Sequence, residues 1–371
     1  MISVPKAVAA HQPADHGSAN QNRMNHQFKK MAARVSAFMD RDTGDFEEIS
    51  RELFALQFEH VPPYRSYCEE LGVNPDSRLP VPAIPTTAFR DYLITSLPED
   101  ERETVFHSSS TTGQSPSQHY HNANSLKIYE HSLTKGFHQA LQATVRTLSL
   151  TPPPKQAPHS SLAHMLNSVQ LEPYFTGTAT PEGWRVDINQ TVDFCQSSNE
   201  PITLMGTAFS FVHLCDAIDS IQLPSGSRIF ETGGYKNQSR ELPKMELHQL
   251  IGQKLNVPLN YIHCEYGMCE LSTQAYAIGQ GAFQFPHWAQ ARIVSPETGK
   301  PATINETGLL EVIDLANVYS VQAIRTGDLA KRAEGDRFEL IGRLHNREPR
   351  GCSLNASHAP TPFTQSAHAN A

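Results

Sequence analysis

The sequence predicts an α/β protein in which a large domain, its mostly parallel sheet flanked by helices, follows a helical N-terminal region and precedes a small C-terminal antiparallel β subdomain. Three observations predict it. An amphipathic helical period stands near the start, short apolar runs alternate with helical ones from about residue 160, and glycine turns punctuate short alternating runs after Gly281. With 371 residues, 39% of them hydrophobic and 18% charged, the chain can bury a substantial core.

In chain order, residues 1–22 are rich in Ala, His, Gln and Asn and read as unfolded, as does the far end, NASHAPTPFTQSAHANA. In TGDFEEISRELFALQFEHV, Phe46, Ile49, Leu53 and Leu56 recur at spacings of three and four, so they form one apolar helix face, with Thr43 or Asp45 as its cap. The prolines of LPVPAIPTTAF forbid a helix interior or a central strand, and this stretch should cross a surface in extended form. LTPPPKQAPHS marks another break. The alternating series is then SLAHML, LMGTAFSFVHLCDAI, SRIFETGG, SRELPKMELHQLIGQKLN and LNYIHCEYGMCE. Strands separated by helices imply crossover connections and parallel pairing. These segments place an α/β domain with a helical N-terminal part at 23–280, a β subdomain at 281–345, and a cysteine-bearing segment and tail at 346–371.

Composition excludes several classes of function. A net charge of −8 and a pI of about 6.1 give no case for nucleic acid, and no basic block suggests an anionic membrane surface. No run approaches the roughly 18 apolar residues of a membrane span, and the first 21 residues lack the apolar core of a secretion signal. The expected location is the cytoplasm. Cys68, Cys195, Cys215, Cys264, Cys269 and Cys352 lack CxxC spacing, which argues against a zinc cage or a disulfide framework. His119 and His121 could present two imidazoles on one strand face, but no third metal ligand is evident.

Four polar clusters carry the chemistry. VFHSSSTTGQSPSQHYH sets Ser109, Ser110, Thr111 and Thr112 before Gly113, which reads either as a solvated turn or as a phosphate loop. FETGGY places Gly233 and Gly234 after an apolar run, EYGMCE places Tyr266 to Glu270 after another, and RTGDLA places Asp328 after a third. Ligands bind outside the carboxyl ends of strands in open parallel sheets, so these clusters could share one crevice. The bland alternatives are a tight glycine turn, a capping glutamate and a turn aspartate.

In this order the clusters resemble the adenylate-forming superfamily, which includes acyl-CoA synthetases and luciferase. SSSTTG is similar to its phosphate loop, EYGMCE to its aromatic-glycine-acidic motif, TGD to its ribose-binding aspartate, and Gly342-Arg343 to the end of its large domain. RIVSPETGKP followed by ETGLLEV adds to the likeness. The resemblance implies that Ser109, Ser110, Thr111, Thr112 and Gly113 cradle the triphosphate of ATP, and that Gly233, Gly234 and Tyr235 line the adenine. It places Tyr266, Gly267 and Arg343 in the same nucleotide site. It gives Glu270 the catalytic Mg²⁺ and Asp328 the ribose hydroxyls.

Two departures stand out. Ser110 occupies a usual glycine position with no lysine soon after the loop, Gln118 and His119 standing nearby instead, and Cys269 replaces the usual threonine, removing a hydroxyl donor. CoA-using members carry a further C-terminal domain, whereas here GRLHNREPRGCSLNAS follows. RGCSL in that position resembles the acyl-protein synthetases of the LuxE family, in which a cysteine near the C-terminus receives the acyl group. The resemblance covers about residues 30–355. It implies that a carboxylic acid, by family a fatty acid, is adenylated, passed to the catalytic Cys352 and handed to a partner such as an acyl-accepting reductase. Arg347 and Arg350 would favour the thiolate. An adenylating ligase using CoA or another diffusible acceptor is the first alternative; a non-catalytic acyl or nucleotide binder is the second.

Overall fold

The computed structural model describes residues 16–41, 44–108, 115–141, 146–181, 183–235 and 239–343. Three helices open it: α1 (His16–Arg41), α2 (Phe46–His60) and α3 (Pro62–Glu70). Helix α1 starts at His16, so the expected unfolded stretch 1–22 ends earlier than its composition suggests. Asp45 caps α2 by accepting from the amides of Glu47 and Glu48. Ile49, Leu53 and Leu56 of the predicted face are buried with Phe28, Val35 and Met39 of α1 and with Trp288.

Strand β1 (Ile84–Pro85) and the short helix α4 (Ala88–Asp91) lead to the hairpin of β2 (Thr104–His107) and β3 (Gln118–His121), followed by α5 (Ala123–Leu141). Next come β4 (Arg146–Ser149), α6 (Ser161–Ser168), a second hairpin of β5 (Gly177–Thr180) and β6 (Gly183–Val186), and α7 (Ile188–Gln196). SLAHML, expected as a short apolar run, is helix α6, because Ser160 caps it by accepting from the Ala163 amide. The longer run that follows splits at Thr207 into β7 (Ile202–Thr207) and α8 (Ala208–Ala217). Then follow β8 (Arg228–Thr232), α9 (Lys244–Leu255) and β9 (Ile262–Tyr266). Finally come β10 (Ala275–Ile278), β11 (Phe283–Gln284), β12 (Ala289–Val294), β13 (Thr307–Asp314), β14 (Ala323–Arg332) and β15 (Arg337–Arg343).

Strands β4, β7, β8 and β9 pair in parallel, as the alternating pattern requires. Their alternate residues enter two cores. Leu148, Leu204, Ile229 and Ile262 pack with Phe211 of α8 and Ile251 of α9, while Met205 and Phe230 pack with Leu133 and Phe137 of α5 and Met165 of α6. Each such fully buried side chain contributes about 1.5–3 kcal/mol of transfer free energy.

The antiparallel part is present too, but it is joined to the parallel part rather than set apart. Eleven strands form one sheet, ordered β12-β13-β14-β15-β11-β10-β9-β8-β7-β4, with β1 pairing β14. The junction is narrow. Strand β11 offers one register pair to β10, Tyr276 opposite Gln284, and two to β15. Tyr266, Phe283, Phe285 and Phe338 pack as aromatic neighbours across it. Among the described residues, no helix is long and apolar enough to cross a membrane.

Candidate nucleotide and acyl-activation site

Strand pairing brings three of the expected residues together. Asp328 does not follow a strand, as expected from the sequence; it lies within β14, because the antiparallel ladder continues through RTGD and sets Asp328 opposite Arg343 of β15. Arg343 Nε donates to Asp328 Oδ1 at 2.9 Å, and the Tyr266 hydroxyl, from the end of β9, donates to Oδ2 at 2.8 Å. The Asp328 amide donates to Thr326 Oγ1, which fixes the local backbone. The carboxylate is 8% exposed and the guanidinium 76%, so solvent screens one side of this ion pair. Burial and the adjoining Asp328 push the Tyr266 phenol well above its ordinary range, so it serves as a hydrogen-bond donor.

From Tyr266 the contacts run on to the glycine turn. Gly267 leaves room for Glu265, since a Cβ there would sit 2.3 Å from Glu265 Oε1. Thr232, the last residue of β8, donates its hydroxyl to Glu265 Oε2. Burial pushes the Glu265 carboxyl up to about 7, with Thr232 pulling it down and Glu231 pushing it further up. The next residue, Gly233, adopts φ +64°, which favours glycine, and both it and Gly234 are exposed. Tyr235 is turned away at its tip, its hydroxyl donating to the Leu242 carbonyl at 2.8 Å.

Glu270 sits on the turn that follows β9 and is 4% exposed. Residues that the motifs did not reveal hold this turn. Asp314, at the end of β13, accepts from the amides of Ser272 and Thr273 at 2.8 Å each and from the Thr273 hydroxyl at 2.6 Å. Burial pushes its carboxyl up to about 6 against the pull of these bonds. Asn317 Nδ2 donates to the Glu270 carbonyl at 2.8 Å. Polar residues directly after the apolar run of β13 were the available signal, because a buried polar group needs partners.

Beside this turn, His119 donates from Nδ1 to the Cys269 carbonyl at 2.8 Å, docking the β2–β3 hairpin on it. Ser108 and Ser117 exchange hydrogen bonds at the open end of that hairpin, where the hydroxyl segment begins and ends. Ser109, Ser110, Thr111, Thr112 and Gly113 themselves lie outside the described residues, as do Cys352, Arg347 and Arg350. His119 and His121 are neighbours, with ring centroids 4.3 Å apart. Both are buried, and desolvation lowers His119 to about 4 and holds His121 well below its ordinary range. Phe89, Phe106 and Tyr129 surround them, so these imidazoles are packed neutral inside the core.

The five described cysteines are free and buried. Desolvation raises the thiols of Cys68, Cys195, Cys215 and Cys264 to about 12, and desolvation with the adjoining Glu270 holds that of Cys269 well above its ordinary range. None is activated as a nucleophile.

The family described as acyl-protein synthetase, LuxE, matches residues 46–361. Two curated proteins, each named long-chain-fatty-acid–luciferin-component ligase, are similar over most of their length. The one from Aliivibrio fischeri is 24% identical over 334 residues, covering 84% of this chain and 88% of its own. The one from Vibrio harveyi is 26% identical over 319 residues, covering 80% and 83%. Among solved structures, an open conformation of 2-hydroxyisobutyryl-CoA ligase with 2-HIB-AMP and CoA matches with a TM-score of 0.61 at 13% identity, covering 81% of this chain and 76% of that one. The same ligase in its postadenylation state gives 0.59 at 14%, covering 86% and 68%. These likenesses show the fold. The chain spans about half the length of ATP-bound MatB from Rhodopseudomonas palustris, where the TM-score is 0.49 at 16% identity over 74% of this chain and 51% of that one.

Proposed function

Because the chain belongs to the acyl-protein synthetase family LuxE, and is therefore an enzyme of the ligase class, we propose that it activates a long-chain fatty acid with ATP and transfers the acyl group to Cys352. The observation that carries the nucleotide placement is the Asp328 carboxylate, held between Tyr266 and Arg343 at the sheet junction. A carboxylate so fixed keeps further lone pairs for the two ribose hydroxyls. The exposed Gly233–Gly234 turn admits the flat base, and Ser109 to Gly113 receive the phosphates. Glu270, a buried oxygen donor, suits a hard cation, and Mg²⁺ there would neutralise charge on the phosphate oxygens.

The chemistry then has two steps. A fatty-acid carboxylate oxygen attacks the α-phosphorus of ATP, and pyrophosphate leaves with the electron pair of the broken bond. The Cys352 thiolate next attacks the acyl carbon, and AMP leaves. The raised thiols of the five buried cysteines support Cys352 as the acceptor, and the family match extends past it. Delivery to an acyl-accepting reductase in the cytoplasm completes the reading.

Intact-mass measurement after incubation with ATP, Mg²⁺ and long-chain fatty acids tests it. The wild type should gain one hydroxylamine-labile acyl mass, and Cys352→Ser should lose that mass while retaining ATP–pyrophosphate exchange. A labile acyl group on Cys352→Ser, or consumption of free CoA as efficient as that of acid, would replace this reading with a diffusible-acceptor ligase.

A further inference from the structure

Beneath the glycine turn lies a second constellation, on the opposite face of the sheet from Glu265. Glu231 of β8 and Cys264 of β9 are register partners on adjacent parallel strands, so both project to the same side, towards α9. His248 of α9 meets them there and is wholly buried. Its Nε2 lies 3.5 Å from Cys264 Sγ and 3.8 Å from Glu231 Oε2. The three donor atoms all lie within 4.8 Å of one another, and all three residues are buried.

We infer that Glu231, His248 and Cys264 form a site for a divalent transition metal of the zinc type, separate from the nucleotide's cation and independent of the acyl-transfer reading. The donor set is one thiolate, one imidazole and one carboxylate, the mixture that zinc takes and that Mg²⁺ does not. Two of the three donor–donor edges are also near the zinc spacing. Zinc–sulfur and zinc–nitrogen bonds of about 2.3 and 2.0–2.1 Å at a tetrahedral angle put sulfur and nitrogen roughly 3.5 Å apart, which is the separation found between Cys264 and His248. The His248–Glu231 separation must close by about half an ångström to reach the corresponding nitrogen–oxygen edge. Three protein ligands leave a fourth position for water.

The surroundings complete the site. Gln280 Nε2 lies 2.9 Å from His248 Nδ1; with the amide turned over so that its oxygen faces the ring, Gln280 accepts the Nδ1 proton and His248 presents its Nε2 lone pair to the metal. The Cys264 thiol now faces the Gly279 carbonyl, with Lys244 beside it; on binding, its proton leaves to solvent as the metal–sulfur bond forms. The metal would tie α9, β8 and β9 together one residue before Thr232 and the turn at Gly233, giving it a structural role.

The test uses the full-length protein, stripped with chelator and then given Zn²⁺ or Co²⁺ alone. One equivalent of zinc should survive gel filtration and resist a large excess of Mg²⁺. The cobalt form should show tetrahedral ligand-field bands and a thiolate-to-metal charge-transfer band. Cys264→Ser should lose that band and Cys195→Ser should keep it, while Gln280→Leu, at an exposed position, should weaken zinc about tenfold. The inference fails if the wild type retains no stoichiometric zinc, or if the charge-transfer band survives in Cys264→Ser. Should Cys264→Ser not fold, unchanged zinc affinity in Gln280→Leu overturns it instead. ATP–pyrophosphate exchange by the zinc-free wild type, assayed with Mg²⁺, leaves the proposed function standing whichever way this test falls.

Discussion

Asp328 shows how much one residue's surroundings decide. Its two oxygens accept from Tyr266 and Arg343, and those bonds fix the plane of the carboxylate. A charge-assisted hydrogen bond contributes about 1.5–3 kcal/mol, so Asp328→Ala should lower ATP–pyrophosphate exchange at least about tenfold in a folded protein. Tyr266→Phe removes only the orienting hydroxyl and should cost less, mostly in KM for ATP. Exchange at the parental rate in Asp328→Ala would remove the nucleotide from this corner. Tyr266, Asp328 and Arg343 were legible in the sequence because short motifs preserve the local order of residue types. Their meeting was not, since it depends on β14 and β15 pairing Asp328 with Arg343 and on β9 ending beside them.

At the scale of elements, the turn after β9 is held by groups far away in the chain. Asp314 and Asn317 serve it from the end of β13 and the loop beyond. Gln57 of α2 braces that loop in turn, donating to the carbonyls of Asn317 and Val318 and accepting from the Gln322 amide. Asp314→Ala leaves the buried amides of Ser272 and Thr273 without their acceptor and should cost about 2–3 kcal/mol or more in denaturant unfolding. It should also raise KM for ATP, because Glu270 rides on the turn; unchanged stability would mean that water replaces the carboxylate. Helix α2, the alternating series and the late antiparallel strands could be read from period and cap signals. The joining of the two strand sets could not, for two-residue β11 carries no pattern of its own. The metal constellation was hidden for a related reason: spacing rules find ligands close in sequence, whereas register and a helix face assemble Glu231, His248 and Cys264.

For the molecule as a whole, the neutral histidines under the site set an acid limit on stability. The folded state holds His119 at about 4, whereas an unfolded chain protonates it near 6.5. The unfolded state therefore binds more protons between these values, so stability is complete above about pH 6.5 and falls as pH drops towards 4, by ~3 kcal/mol from His119 alone. Denaturant titrations from pH 7 to pH 4.5 should show this slope, and His119→Gln should flatten it; an identical slope in the variant would assign acid sensitivity to other groups. The narrow strand β11 has a different kind of consequence. At β11 one register pair to β10 and two to β15 link the two halves of an eleven-stranded sheet, so that seam is closed by few ladder bonds and by a cluster of aromatic rings, as an expansion joint would be. Tyr266 grips one side of the joint and Asp328 the other. On the proposed placement, a nucleotide with its base at Gly233 and its ribose on Asp328 would span the joint like a rivet, and filling the site would stiffen the sheet across that seam.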